Sequence, residues 1–371
     1  MQWLDRVKFG NGKDGAPATD INTNSGQGWG TVTGTAGQTT LSITDVAYCW
    51  RITAGDVILI HQSQGTGAGQ WELNVASETF PNSTTATKSV KYPLAYNYGV
   101  GAQVIRVPQW TGGTLSGNAT TAASWNGSYG GIYAVMCNGD LTISGTINTS
   151  EMGFRGGYAS GQQGYGQTGE SYAGTQSQTG AANYSGGGGG KANASSGSYV
   201  AGSPGGNGAQ GTGSVVGAGS YSVGTYGGTS GNAGLTSMVF GGGSGGGGGD
   251  QNGPFGAGVS GAGIIVVIAK TITITGTLTA NGKNGTANYY TGGSGGAGGS
   301  ILIKCQSGTL GTSKVLANGG TPGVDNGHYG ATGGAGRIHI DYYSGYTGTT
   351  TPTIDSAQDT NLKSDVYTSM I

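Results

Sequence analysis

The stretch Gly263-Ile-Ile-Val-Val-Ile-Ala-Lys-Thr-Ile-Thr-Ile-Thr-Gly-Thr-Leu-Thr-Ala-Asn-Gly282 reads as two β-strands with short Ala-Lys and Gly-Thr joints, entered from glycine and left into glycine. Runs of β-branched residues bounded by Gly and Asn are strand signals. The same order occurs at Gly131-Ile-Tyr-Ala-Val-Met136 with Leu141-Thr-Ile-Ser-Gly-Thr-Ile-Asn-Thr149, at Ser300-Ile-Leu-Ile-Lys304 with Val315-Leu-Ala-Asn-Gly-Gly320, and at Arg337-Ile-His-Ile-Asp341. Ile264 to Ile301 is 37 residues, and Ile301 to Ile338 is 37 again. Recurrence at a fixed spacing marks a solenoid, in which each coil buries its face on the next. Ile264, Val266, Ile272, Ile274, Ile301, Ile303, Ile338 and Ile340 are therefore expected to point into one shared interior.

Each coil ends in a glycine-rich excursion, at 153–263, 282–299 and 319–336. The longest holds 41 glycines in 111 residues, with runs at Gly186–Gly190 and Gly245–Gly249. Its only charges are Arg155, Glu170, Lys191 and Asp250. A flexible linker is usually polar and joins separate domains, whereas this stretch is flanked by patterned strands. Glycine loses the most conformational freedom on ordering, so its heavy use fits backbones that approach closer than a Cβ allows. The three-residue polyproline II conformation leaves every N–H and C=O pointing outward, and glycine chains in it can bond laterally on all sides. Tyrosines, serines and asparagines are then expected on the outer face and at the bends. A low-complexity loop is the plainer alternative.

The remainder divides around this core. Residues 1–30 are dense in turn signals and read as an extended arm; 31–113 carries short strands such as Val57-Ile-Leu-Ile60 and Val104-Ile-Arg-Val107 and reads as a small β-barrel or sandwich; 114–343 is the solenoid with its excursions; 344–371 is a tail. The expected fold is all-β throughout.

Composition excludes several classes. Glycine totals 84 and proline 8, without the every-third-residue glycine of collagen. A formal net charge of −1 with 8% charged residues gives no footprint for nucleic acid or an acidic membrane. Cys49, Cys137 and Cys305 fit neither a disulfide framework nor a CxxC metal site, and read as small buried hydrophobes. The opening Met-Gln-Trp-Leu-Asp-Arg-Val-Lys lacks the apolar region of a Sec signal peptide, and no run is long enough to span a bilayer. Work outside the cell would then follow lysis, virion assembly or a dedicated exporter.

Candidates for chemistry are few, and no catalytic, cofactor or metal site is assigned. Arg337, His339 and Asp341 share one strand face, which is the pattern of a tuned base and, more commonly, of a solvated face. Asp140 and Asp341 are the carboxylates of a conceivable glycan-cleaving pair. Gly186–Gly190 with Lys191 lacks the first glycine and the Ser/Thr of a P-loop. Gly245–Gly249 with Asp250 lacks the apolar position and the recurrence of a calcium-binding repeat. Asn-x-Ser/Thr triplets at Asn82, Asn126 and Asn193 carry no weight without a secretory signal.

Four stretches carry a resemblance: Phe-Gly-Asn-Gly-Lys-Asp-Gly-Ala at 9–16, Gly-Asp-Val-Ile-Leu-Ile-His-Gln-Ser-Gln-Gly-Thr-Gly at 55–67, Gly-Phe-Arg-Gly-Gly at 153–157 and Gly-Arg-Ile-His-Ile-Asp-Tyr-Tyr at 336–343. Together they resemble a group of glycine-rich proteins of phage tail-fibre regions and uncultured bacteria. Glycine blocks alternating with Tyr/Ser/Asn segments are also similar in layout to the tail-tip adhesins of T-even-type phages, from which this chain departs by its β coils and N-terminal β region. The resemblance implies a non-enzymatic tail-fibre or receptor-binding component, located in the virion tail or outside the cell. Its partners would be a host surface glycan or outer-membrane protein, and other copies or fibre proteins. Twenty tyrosines against five phenylalanines is a bias of recognition surfaces and equally of glycine-rich structural proteins. Tyr158, Tyr165, Tyr172, Tyr184, Tyr199, Tyr221 and Tyr226 are the candidate contact residues. The alternatives are a self-assembling filament or sheath subunit and a polysaccharide-cleaving tailspike.

Overall fold

Alternating apolar residues between Trp29 and Val107 build an antiparallel sheet of six strands, β1 (Trp29–Gly34), β2 (Thr40–Asp45), β3 (Val57–Gln62), β4 (Trp71–Val75), β5 (Ala86–Ser89) and β6 (Tyr98–Val107), in the order β4-β3-β6-β1-β2-β5. The computed structural model describes residues 8–17, 28–45, 49–81, 86–121, 123–161, 164–193, 197–249, 256–288, 291–325 and 327–363. The sheet curls until its edge strands meet: Ala76 bridges Val90, Ser77 N donates to Ser89 O at 3.0 Å and Lys91 N to Val75 O at 2.8 Å. Closing an edge removes the unpaired backbone groups that would otherwise seek a partner. Val32, Leu41, Ile43, Ile58, Ile60 and Val104 fill the inside. Because β3 is apolar at every one of its first four positions, its other face is buried too, and Val57 and Leu59 join a second core outside the curl.

The N-terminal arm is pinned by charge. Asp56, fully buried, accepts from Thr53 N (2.6 Å), Thr53 Oγ1 (2.9 Å), Arg106 Nε (2.9 Å) and Lys13 Nζ (2.7 Å). Burial alone would raise the Asp56 pKa, but these bonds and the Arg106 charge outweigh it and hold the carboxyl below its usual range. Arg106 also grips Asp14, whose carboxylate accepts from Gln109 N at 2.7 Å.

A parallel sheet of ten strands follows. Its first strands are β7 (Gln109–Trp110), β8 (Gly113–Leu115), β9 (Asn118–Thr120), β10 (Ile132–Ile143) and β11 (Thr146–Asn148). Four two-residue strands lie in the long excursion, β12 (Lys191–Ala192), β13 (Tyr199–Val200), β14 (Tyr221–Ser222) and β15 (Gly248–Gly249). The parallel sheet resumes with β16 (Ile264–Ile274) and β17 (Thr277–Thr279); the second excursion holds the hairpin β18 (Ala287–Asn288) and β19 (Thr291–Gly292). Then come β20 (Ser300–Leu316), the third-excursion hairpin β21 (Val324–Asp325) and β22 (His328–Tyr329), β23 (Arg337–Thr351) and β24 (Asp355–Gln358). In space the long strands run β10-β16-β20-β23, with β7 and β8 on the outside of β10 and β24 on β23. The parallel sheet thus begins at Gln109, inside the segment read as the N-terminal region, and reaches Gln358.

The register corrects the spacing. Ile301 pairs with Ile338 as expected, but its partner in β16 is Ile265, while Ile264 faces Ser300. The offset is 36 residues through Thr273↔Thr309 and becomes 37 at Leu278↔Val315. β20 takes up the additional residue at a corner where Gly311 (φ 68°) and Ser313 (φ 50°) turn left-handed. A one-residue slip exchanges the faces of a strand. Ile272, Ile274, Ile301, Ile303, Ile338 and Ile340 do share one core, but Ile264 and Val266 point into the other, against Val57, Leu59 and Ile105 of the N-terminal sheet. Both faces are apolar because parallel strands between two layers are buried on both sides. Cys49, Cys137 and Cys305 are buried free thiols, and burial pushes the first and last up to about 12. Among the described residues no helix is long and apolar enough to cross a membrane.

Candidate binding surface

Glycine segments from all three excursions form one hydrogen-bonded lattice. Along 241–249 the donors step round by threes. Gly241, Ser244 and Gly247 donate to Ala262 (2.8 Å), Val259 (2.9 Å) and Gly256 (2.8 Å); Gly242 and Gly245 to Gly206 (3.1 Å) and Ser203 (2.8 Å); Gly243 and Gly246 to Glu170 (3.2 Å) and Gln167 (2.8 Å). Its carbonyls accept from three further segments, through Phe154, Gly157 and Ser160, through Gly187 and Gly190, and through Ala297. The central segment therefore has six neighbours. A Cβ on Gly189 would stand 1.9 Å from Gly166 O, and one on Gly242 1.9 Å from Ser185 O. Only glycine fits at such spacing.

Serine is the exception, which corrects the expectation that serines stay outside. Ser185, Ser203, Ser244 and Ser294 are fully buried. Three of them carry the reason in their bonds: Ser203 Oγ donates to Gly224 O (2.6 Å), Ser244 Oγ to Ser294 O (2.9 Å) and Ser294 Oγ to Gly202 O (2.6 Å). A hydroxyl that bonds a neighbouring carbonyl takes the place of direct backbone contact. One ion pair enters the lattice. Glu170, fully buried, accepts from Arg155 Nε (2.9 Å) and Nη2 (3.0 Å), a two-point geometry that raises the Arg155 pKa chiefly through the hydrogen bonds to Glu170.

The seven tyrosines fall into separate groups. Segments 154–160, 186–190 and 241–249 run out side by side, and Tyr165, Tyr199 and Tyr221 gather where they end: Tyr165 bridges Lys191, Tyr199 pairs with Gly249, and Tyr221 pairs with Ala192. Lys191 Nζ sits 5.4 Å from the Tyr165 ring centre, and Tyr199 meets His328 edge-on at 5.2 Å. All three tyrosines are half-buried. Tyr172 and Tyr184 form a ring pair, 5.4 Å apart, on the flank. Tyr158 stands alone and exposed, and Tyr226 lies against a small cluster around Val200, its hydroxyl donating to Gly213 O at 2.8 Å. Of the seven, Tyr158 and Tyr184 alone are exposed.

Two features escaped the sequence reading. Tyr184 has φ 50°, a left-handed conformation rare for a bulky side chain, in the tight turn where Asn183 and Gly186 exchange backbone bonds; the Asn-Tyr-Ser-Gly order is a turn signal that pointed to it. Val324 and Tyr329, both exposed in the third excursion's hairpin, are a second.

His339 is 3% exposed and binds two carboxylates, Asp355 through Nδ1 (2.7 Å) and Asp341 through Nε2 (3.1 Å). Burial by itself would lower its pKa; the two acids outweigh burial and raise it. Arg337 donates from Nε to Ser230 O at 2.8 Å and does not join them. Asp140 lies in β10 and Asp341 in β23, three strands apart. At about 4.8 Å per strand that is roughly 14 Å, beyond the ~9.5 Å limit of a carboxylate pair with a water between. Gly187–Gly190 give all four N–H groups to neighbouring segments, so none faces a phosphate. Asp250 and Asn82 lie outside the described residues. No protein-family model matches the chain, and neither a curated protein nor a solved structure does.

Proposed function

We propose that this chain is a non-enzymatic adhesive protein, a component of a phage tail fibre or a similar receptor-binding fibre. The parallel courses act as coils of a short β-solenoid, the glycine segments as a polyglycine II bundle, and the bends as the part that meets a host surface. The observation that carries the proposal is the tyrosine group at the shared end of the outgoing segments, Tyr165, Tyr199 and Tyr221 with Lys191 and His328. A lattice with six-fold backbone bonding holds those rings at little further entropic cost on binding.

The test is cell binding. Purified chain is incubated with a panel of bacterial cells, and single Tyr165→Ala, Tyr199→Ala and Tyr221→Ala variants are compared on the bound strain. Loss of binding with an unchanged melting temperature is the expected result, because a few aromatic anchors dominate recognition. Normal binding by all three variants refutes the assignment.

A second reading, a self-assembling filament subunit, draws on one observation. Among the described residues β24 pairs β23 only along 339–342, and 345–351 pairs on one side alone, with β20. Concentration-dependent fibres abolished by Thr347→Pro would favour it.

A further inference from the structure

We infer that the cleft between the N-terminal sheet and the first glycine excursion binds an uncharged oligosaccharide, an inference that rests on the adhesive reading and names its ligand class. The cleft measures about 680 Å³ and draws its walls from chain segments around 31–33, 44, 64–66, 99–102, 127–128 and 173–174. That volume lies in the usual range of roughly 300–1,000 Å³ for small-ligand sites. No lining residue is ionisable, and the nearest buried acid, Glu170, is already matched by Arg155. The Arg155 guanidinium beside Gly127 is paired with Glu170, so an anion or cation would find no unpaired opposite charge to offset its desolvation.

The walls offer hydroxyls instead. Thr33, Thr66 and Ser128 line the cleft, and their side chains have no hydrogen-bond partner among the described residues. Thr31 and Thr44 are bonded to each other at 2.7 Å, and Gln64 Nε2 donates to Ser171 O at 2.8 Å, which fixes that wall. A hydroxyl both donates and accepts, as a sugar hydroxyl does, so the two surfaces match without charge. Glycine opens the floor: a Cβ on Gly99 or Gly174 would meet nothing within 4 Å.

An aromatic pair, Tyr172 and Tyr184, adjoins the 173–174 wall without lining the cleft itself. Tyr172 O accepts from Gly65 N at 2.8 Å, Ala173 and Gly174 continue into the wall, and the Tyr184 ring lies 5.4 Å from that of Tyr172. Asn183 Nδ2 donates to Gly174 O at 3.1 Å and ties the Tyr184 turn to the cleft. Tyr184 is 63% exposed while held at φ 50°. A left-handed conformation is unfavourable for a bulky residue, and an exposed ring recovers little of that by packing; strain of this kind collects at ligand sites. The ring faces suit the C–H face of a pyranose. Val100, 91% exposed and also lining the cleft, gives a second apolar contact.

The test titrates the full chain with neutral malto-, cello-, galacto- and chito-oligosaccharides, with heparin and polysialic acid as anionic controls. At least one neutral series should bind, insensitive to salt, and Gly99→Trp, which fills the cleft from a position with open space, should weaken it tenfold or more, as should Tyr184→Ala. Should Gly99→Trp misfold, Thr66→Trp plugs the same cleft from its rim; Thr347→Ala on the parallel sheet is the control. No neutral binding, binding indifferent to both plugs, preference for the anions, or plugs that block only an outer-membrane protein each overturn the inference. Cell binding that depends on Tyr165, Tyr199 and Tyr221 without any sugar binding removes the cleft inference and leaves the adhesive reading. Sugar binding in the cleft with no cell binding does the reverse.

Discussion

Alanine in place of Gly189 measures the lattice directly. The new Cβ would lie 1.9 Å from Gly166 O, against the 3.0 Å that real Cβ atoms respect, so the two segments must part by 1.1 Å, the difference of the two, or more. The same two segments are joined by Gly166 N to Gly190 O at 2.9 Å, and Gly189 N donates to Thr179 O at 2.9 Å. Lengthening either by that amount breaks it. Two buried backbone bonds lost at about 1–3 kcal/mol each give a destabilisation of roughly 2–6 kcal/mol. Gly228 supplies the comparison within the same excursion, since its Cβ would come no closer than 3.5 Å to Tyr184 O; Gly228→Ala is expected within about 0.5–1 kcal/mol of the parent. Urea midpoints give the difference, and amide exchange along 164–190 localises it. Equal midpoints for the two variants, or fast exchange through 186–190 in the parent, would refute a packed lattice and restore the floppy loop.

Ile301→Ala, at a fully buried site, should lose about 2–5 kcal/mol by chemical denaturation, and Lys at either Val266 or Val267 should unfold the chain, because adjacent residues here face two different cores. His61 is fully buried, its pKa driven down to about 4 by desolvation against the bond to Met238 O. The unfolded chain binds that proton near pH 6.5, so this contribution is complete above 6.5 and falls as the pH drops toward 4, by about 3 kcal/mol; His61→Asn should flatten the acid limb of a stability–pH curve. His339 has the opposite sign, its folded pKa being raised. Its contribution is complete below pH 6.5 and is lost as the pH rises through the folded value, so β24 should exchange amides faster, after correction for intrinsic rates, above neutrality, and Asp355→Asn should abolish that dependence.

How far the sequence led depended on what each residue could signal. The paired strands at 131–149, 264–282 and 300–320 announced a stacked parallel sheet because their apolar runs recur. Their phase was hidden, because Ile264-Ile-Val-Val-Ile268 is apolar at both parities and offers no polar residue to mark an outer face. The glycine lattice was legible as a lattice, from density of glycine without charge. Which segments are neighbours was not, since glycine has no side chain to encode a partner, and the contact between 241–249 and 203–206 exists only in backbone bonds. Serines were misplaced for want of a way to tell a solvated hydroxyl from one bonded to a buried carbonyl. The tyrosines were singled out as one set, but their separation into an end group and a flank pair follows from the path of the excursions, which the sequence does not encode. The cleft was invisible, because its walls come from six separate stretches, mostly of unremarkable Thr, Gly, Ala and Val.

The three-residue beat of the lattice restricts how this molecule can change. Gly241, Ser244 and Gly247 address one neighbour, and the residues between them address two others. Inserting one or two residues inside a packed segment turns every later N–H by about 120° per residue onto the wrong strand, while three residues add one whole turn of about 9 Å and leave the phase intact. Bends carry no phase. Segment lengths can therefore be edited only in triplets, whereas the bends beyond the paired residues Tyr165, Tyr199 and Tyr221 can change length without shifting that phase. The architecture separates a fixed frame from a variable face, so changes confined to the bends alter the surface and leave the packing phase untouched.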